Sequence, residues 1–343
     1  MTTLQAKQLM DLMFEKKIKY IDNVYHYTTA DVANLILNDE DVCLKMTLID
    51  NFDDKLEGKA IDGFYNRALK KLLKENKISK SQYELLVKIK APQKNVSAFY
   101  EGNGVYRGEM TESDIYITCF SKEKDDPYMI ENYIKNDTRS GYCLSFSCCE
   151  LKANELMGYC FDVGFSLKML EVKYEKQVIL EMYDFIENLV RIFDGCDDKL
   201  KEHSNAIIEA KLNELKYTTK LKKFRKENEI RLVLITPKGH LPHKKLRIFF
   251  DSAKSDCLVK FPKYVIKGIS NSPKLRAEED KYWREIFKKR GYKIIGNCKN
   301  GIDESVDNYR NSQSIFLGIS SCHYNGDTFL INSILKTKES KGF

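Results

Sequence analysis

Apolar residues between positions 61 and 73 recur every three or four places. Ile61, Phe64 with Tyr65, Ala68 with Leu69, and Leu72 with Leu73 would line one face of an α-helix. This predicts a strongly helical stretch over about 55–90. Other segments follow the two-residue period of half-buried strands: NVYHYT (23–28), DIYITCFS (114–121), YCLSFS (142–147), EIRLVLIT (229–236), LRIFF (246–250), YVIKGI (264–269) and YKIIG (292–296). Thr28 or Thr29 offers an N-cap to the apolar run ADVANLIL. Further helices are expected at 3–17, 176–194, 199–216 and around Trp283, and residues 91–112, with Pro92 and three glycines, read as a loop.

Strands and helices therefore alternate without internal repeat or low-complexity linker. The pattern implies one α/β domain over 1–312, with helical insertions near 55–112 and 175–225, and a C-terminal extension at 313–343. A 43% hydrophobic, 31% charged composition is that of a globular chain. No stretch approaches the about 20 apolar residues of a membrane span. The N-terminus, MTTLQAKQLMDLMFEKK, mixes charges into its apolar positions, unlike a secretory signal. A cytoplasmic location with no membrane partner is the expectation.

Ten cysteines change little, because no CxxC or Cys/His ladder at zinc spacing accompanies them. Reduced thiols packed as small hydrophobes, without disulfide or metal, are expected. The net charge of +7 says less than its distribution. Residues 211–226, KLNELKYTTKLKKFRK, hold seven Lys or Arg and one Glu, with Tyr217 and Phe224 between them. Such a stretch is either a solvated helix face or a nucleic-acid surface, in which Lys220, Lys222, Lys223 and Arg225 would meet phosphates.

P-loop, GxGxxG, HExxH and GxSxG motifs are absent. Four short blocks stand out instead: Tyr25-His26-Tyr27-Thr28; Asp53-Asp54-Lys55-Leu56-Glu57; CFSKEKDDPYMIENY, with Met129 and Tyr133 one helical turn apart; and Lys220-x3-Phe224-x2-Glu227-x-Glu229-x-Arg231. In this order, and with a late Tyr309-Arg310, the chain resembles the bacterial domain-of-unknown-function family 2971 over residues 24–310. Asp53 stands where that family has Asn, Lys55 where it has Pro, Ile130 and Phe224 where it has Trp, and Asn132 where His is frequent. The opening strand and helix are in turn similar to ADP-ribosyltransferases of the DNA-modifying toxin type.

That likeness implies a twisted, largely antiparallel split β-sheet and NAD as substrate, with no metal. It implies a bacterial toxin or antiviral defence effector whose acceptor is nucleic acid or protein. Glu229, Tyr133 and Arg231 would be catalytic, while His26, Tyr27, Thr28, Ser121 and Arg310 would bind the dinucleotide. Glu229 is expected to be an edge-exposed carboxylate that contributes little to folding. Plainer readings stand beside these. His26 can be a hydrogen-bonded core histidine, Glu227/Glu229/Arg231 a cross-strand ion pair, and Tyr133 core packing. Asp53, Asp54 and Glu57 can be turn and helix-start acids rather than a cation site. A non-catalytic nucleic-acid-binding or scaffold protein is the rival to the transferase.

Overall fold

The structure, a computed structural model, describes residues 8, 21–52, 60–97, 100–101, 105–106, 111–134, 141–152, 166–193, 197–239, 248–251, 256–271 and 277–294. Apart from residue 8, the expected helix at 3–17 lies outside these, as do the acids Asp53, Asp54 and Glu57, the histidines His240 and His243, and Tyr309-Arg310.

The protein is a mixed α/β structure built on a curled antiparallel sheet. Its first strand, β1 (Asn23–Thr29), leads into α1 (Ala30–Ile36), whose N-cap is Thr29: its hydroxyl accepts from the Val32 amide. Then come β2 (Val42–Leu48), α2 (Ile61–Lys74) and α3 (Lys80–Leu86). The stretch expected to be a loop holds three two-residue strands, β3 (Val96–Ser97), β4 (Tyr100–Glu101) and β5 (Val105–Tyr106). The long β6 (Thr111–Ser121) follows, then α4 (Pro127–Tyr133), β7 (Gly141–Ser147) and α5 (Cys148–Lys152). β8 (Ser166–Glu171) and β9 (Lys173–Tyr174) precede the paired helices α6 (Glu175–Ile192) and α7 (Asp197–Lys216). The rest comprises β10 (Thr219–Lys220), β11 (Glu229–Pro237), β12 (Ile248–Asp251), β13 (Asp256–Phe261), β14 (Ile266–Asn271) and α8 (Ala277–Lys289).

β6 organises the sheet. One of its edges is taken by β11, which pairs with it in register from Glu229↔Ser121 to Pro237↔Ser113. The other edge is shared. β2 pairs with β6 at Thr47↔Ile117 and Leu48↔Tyr116, whereas β1 pairs with it only at Tyr25↔Ser121. The strand order β12-β13-β2-β6-β1-β7-β14 thus parts along Thr118, Cys119 and Phe120. Side chains meet the main chain there: the Thr118 hydroxyl donates to the Lys45 carbonyl at 2.6 Å, and His26 Nδ1 lies 3.0 Å from the Cys119 carbonyl. Buried carbonyls need such partners when no strand supplies them.

Because strand side chains alternate between faces, this sheet has two differently covered sides. On one, Phe120, Ile230, Leu232, Leu144 and Phe146 pack with residues of α1 and α8 in the main core. On the other, Ile115, Ile117, Val233 and Ile235 gather with Tyr217 from the end of α7. The two helical insertions pack on each other. Ile61, Phe64, Tyr65, Leu69 and Leu72 of α2 share a core with Val178, Met182 and Ile186 of α6 and Ile208 and Leu212 of α7. The three- and four-residue spacing of α2 therefore reports its buried face faithfully.

A largely buried ionic network ties this helical layer to β9, which forms a two-stranded pair with β10. Glu181 of α6 meets Lys173 of β9 at 2.6 Å and Lys211 of α7 at 3.0 Å, and Lys211 also meets Glu214 at 2.8 Å. Lys211, the first residue of the basic stretch, is thus an internal strut. Gly141 matters for α4: a Cβ there would lie 1.9 Å from Ile134 Cγ2, so glycine lets the end of α4 settle on β7.

Candidate active site

A short 3-10 helix, Lys222–Glu227, precedes β11 and ends on Asn228 in the left-handed conformation (φ 42°), which asparagine tolerates better than most residues. The Asn228 amide donates to the Arg225 carbonyl at 3.3 Å, and its own carbonyl accepts from the Lys122 amide at 2.9 Å. This anchored turn presents Glu227 just before β11 opens with Glu229. Lys220 arrives from β10, held by parallel pairing of Lys220 with Tyr174 and by the Lys173 amide donating to the Thr218 carbonyl at 2.8 Å.

Four charges then meet. Lys220 Nζ lies 2.7 Å from Glu227 Oε2 and 2.9 Å from Glu229 Oε2. Arg231 Nε donates to Glu229 Oε1 at 2.7 Å, and another of its nitrogens donates to the Tyr217 carbonyl at 3.1 Å. Both Glu229 oxygens are engaged. Tyr133, at the end of α4, stands beside Glu227, and the Cys119 thiol stands beside Glu229. Phe224 covers Lys220 from the turn, with the ammonium 4.7 Å from its ring centre. The Glu227 carbonyl accepts from the Ser121 hydroxyl at 2.9 Å.

The two carboxyls respond in opposite directions. Burial acts to raise Glu229, but Arg231 and Lys220 outweigh it and hold the group down to about 2. Burial raises Glu227, and Lys220 only partly offsets this while the Glu229 charge adds to it. Lys220 is raised: burial opposes its charge, but Glu229 and Glu227 prevail. Burial raises the Cys119 thiol well above its ordinary value, helped by Glu229, and it raises Tyr133, helped by Glu227. One carboxylate is thus firmly ionised beside a second that takes a proton more readily, the division that acid and base roles require.

The expected site residues do not all come together. Glu229, Arg231 and, through Glu227, Tyr133 do. Glu229 corrects its expected setting: it is 3% exposed and Arg231 is fully buried, so neither sits on a solvated edge. Tyr133 is 44% exposed, unlike the buried Glu227 beside it. His26 stands at the part in the sheet, but its ring packs edge-on against Phe120 with centroids 5.8 Å apart. Phe120 pairs with Ile230, so His26 belongs to the face opposite Glu229. The Cys119 carbonyl can only accept, so Nδ1 carries a proton, and burial lowers the imidazole's pKa. Tyr27 is buried, with its hydroxyl donating to the Glu123 carbonyl at 2.7 Å and accepting from the Asp126 amide at 3.0 Å. It braces the start of α4. Thr28 is buried on the His26 side of β1, and Ser121 holds the turn.

The basic stretch divides. Lys211 is internal, Tyr217 is core, and Lys220 is consumed by the two glutamates, so 211–226 is neither one solvated face nor one binding surface. Lys222, Lys223, Arg225 and Lys226 are exposed on the 3-10 turn. Lys223 lies 4.5 Å from the Phe224 ring centre, and Lys226 5.7 Å from that of Tyr128 in α4.

Sequence reasoning missed the joint role of Lys220 and Glu227, and it missed Tyr174 and Cys119. The Lys-x6-Glu-x-Glu spacing held the signal for the first two, but only the 3-10 turn folds that spacing onto one ammonium. Tyr174 reaches the site through β9–β10 pairing, and Cys119 through its register opposite Arg231. Among the described residues no group of acids, histidines and cysteines is arranged to hold a metal ion. The chain matches no protein-family model, no curated protein and no solved structure.

Proposed function

We propose that the protein is an NAD-dependent ADP-ribosyltransferase that works through the Glu227–Glu229 pair. The observation that carries this reading is two buried carboxylates held by one ammonium, Lys220 lying 2.7 Å from Glu227 and 2.9 Å from Glu229, with Arg231 also holding Glu229 so that it stays ionised while Glu227 is easier to protonate. NAD needs little more than such a site. Its nicotinamide is already a cationic leaving group, so cleaving the N-glycosidic bond returns the bonding pair to the ring and leaves positive charge on the ribose. A fixed negative charge facing that cation stabilises the transition state more than the ground state. Glu229 supplies the charge, as glycosidase carboxylates do. Glu227 takes the proton of the acceptor as its oxygen or nitrogen attacks the ribose carbon. Tyr133 stacks on the nicotinamide. Arg231 acts only by holding Glu229.

In this reading the enzyme is a bacterial toxin or antiphage effector of the cytoplasm, with nucleic acid or protein as acceptor, a setting that rests on the family resemblance. Among the described residues no helix is long and apolar enough to cross a membrane. The test is direct: protein supplied with NAD and either nucleic acid or cell extract should release nicotinamide and transfer label from NAD to the acceptor. Absence of both NAD binding and nicotinamide release removes the transferase reading.

A second reading, nucleic-acid binding without catalysis, is favoured by one observation, the exposed cations of the 3-10 turn. If they bind a phosphate backbone, affinity should fall steeply with salt through counterion release. Changing Lys222, Lys223 and Arg225 to Glu should then abolish binding in a gel-shift or anisotropy titration, while Lys220 is left in place to preserve the fold. No binding at low salt discards this reading.

A further inference from the structure

We infer that Lys220 is the positioning residue of the site, holding Glu227 and Glu229 as a pair of carboxylates against one ammonium so that Glu227 is the one that exchanges a proton. The inference rests on the proposed use of this pair, but its geometry is independent of the substrate. Two carboxylates two positions apart repel one another when buried, and in a poorly hydrated setting such a pair retains one proton between them. Lys220 Nζ lies within 2.9 Å of both and is 11% exposed, so it is a fixed countercharge rather than a surface lysine passing by. Arg231 cannot replace it, because its Nε bonds Glu229 Oε1, the oxygen turned away from Lys220. With Lys220 the group holds two cations and two anions, and without it one cation would serve two anions.

The surroundings of Glu227 fix what else can titrate it. Tyr133 faces it from α4, Tyr174 from β9, Glu229 and Arg231 from β11, and Cys119 of β6 stands against Glu229. Tyr133, Tyr174 and Cys119 all have raised values, so near neutral pH they stay protonated and add no charge to that of Lys220, Arg231 and the glutamates. Lys220 is placed by main chain on both sides. β10 pairs with β9, and the helices α6 and α7 that join these two strands are locked by the Lys173–Glu181–Lys211 network. Phe224 covers the ammonium from outside.

The experiment titrates Glu227 in the full chain by carbon-13 NMR of labelled glutamate carboxyls, assigned with Glu227→Gln, in wild type, Lys220→Met and Lys220→Arg. Lys220→Met should raise the Glu227 midpoint by at least about one pH unit, while Lys220→Arg should restore most of the difference. Nicotinamide release should fall at least about 100-fold at neutral pH in Lys220→Met, with its acid limb moved to higher pH in parallel. An unmoved Glu227 midpoint overturns the inference. A moved midpoint in protein that never releases nicotinamide keeps the Lys220 assignment and removes the transferase reading instead. Should Lys220→Met fail to fold, thermal unfolding of Lys220→Met/Glu227→Gln decides. Recovery of a folded protein supports Lys220 as the countercharge of Glu227, and no recovery overturns it.

Discussion

Arg231→Ala should lower the stability of the fold by about 3–5 kcal/mol, the cost typical of leaving a buried carboxylate without its partner. Arg231 is among the largest fully buried side chains, and its Nε holds Glu229 Oε1 at 2.7 Å. The pH dependence identifies the cause. Glu229 is lowered from an ordinary 4.5 to about 2, so the unfolded chain takes up its proton at higher pH than the folded one. Its contribution is therefore fully present above about 4.5 and lost as pH falls toward about 2. In Arg231→Ala that loss should be smaller and be complete at higher pH, because one of the two cations holding the folded-state group down is gone. Urea unfolding between pH 3 and 7 checks both points. A variant within about 1 kcal/mol of wild type throughout contradicts the buried ion pair. Glu229→Gln should be comparably damaging, leaving Arg231 and Lys220 short of negative charge, and so cannot serve as a clean catalytic probe.

Glu227→Gln is the cleaner probe, and it should slow nicotinamide release at least about 100-fold while the protein stays folded. Gln keeps the size of the side chain and a hydrogen-bond acceptor beside Tyr133. Lys220 retains Glu229, 2.9 Å away, and the repulsion between the two glutamates disappears. NAD affinity should change far less than turnover, since the unreacted ribose carries little of the charge that develops later. Measuring release, NAD binding and the melting midpoint together separates the outcomes. A full rate in Glu227→Gln moves the proton-accepting role elsewhere, and a collapsed midpoint shows that Glu227 serves the fold.

Much of the fold was legible where an element's own residues carry its period. The apolar spacing of 61–73 follows from a single buried side, whereas the strands at 142–147 and 229–236 are buried on both faces and read as strands through their apolar, β-branched and aromatic residues; each element appears where its pattern lies. β2, β8 and β13 were missed. In VCLKMTL, SLKMLE and DCLVKF a lysine interrupts a short apolar run, and their strand character comes from the partners beside them, such as β13 on β2. The short strands within 96–106 sit among glycines that locally favour a turn.

The site divides in the same way. By itself the sequence determined that acids, cations and aromatics gather in the Lys220–Arg231 block, and that Glu229 and Arg231 share a strand face, because alternate residues of a strand must. It could not determine which of those charges are exposed. Burial depends on what the rest of the chain lays over them. Tyr217 and Phe52 beside Arg231, Phe224 over Lys220, and α4 beside Glu227 turn a stretch that reads as a solvated basic face into an internal charge cluster. The same holds for His26. A strand position fixes the face on which a side chain lies, but the register of β1 against β6, which turns that face toward Phe120 rather than Glu229, is a property of the assembled sheet alone.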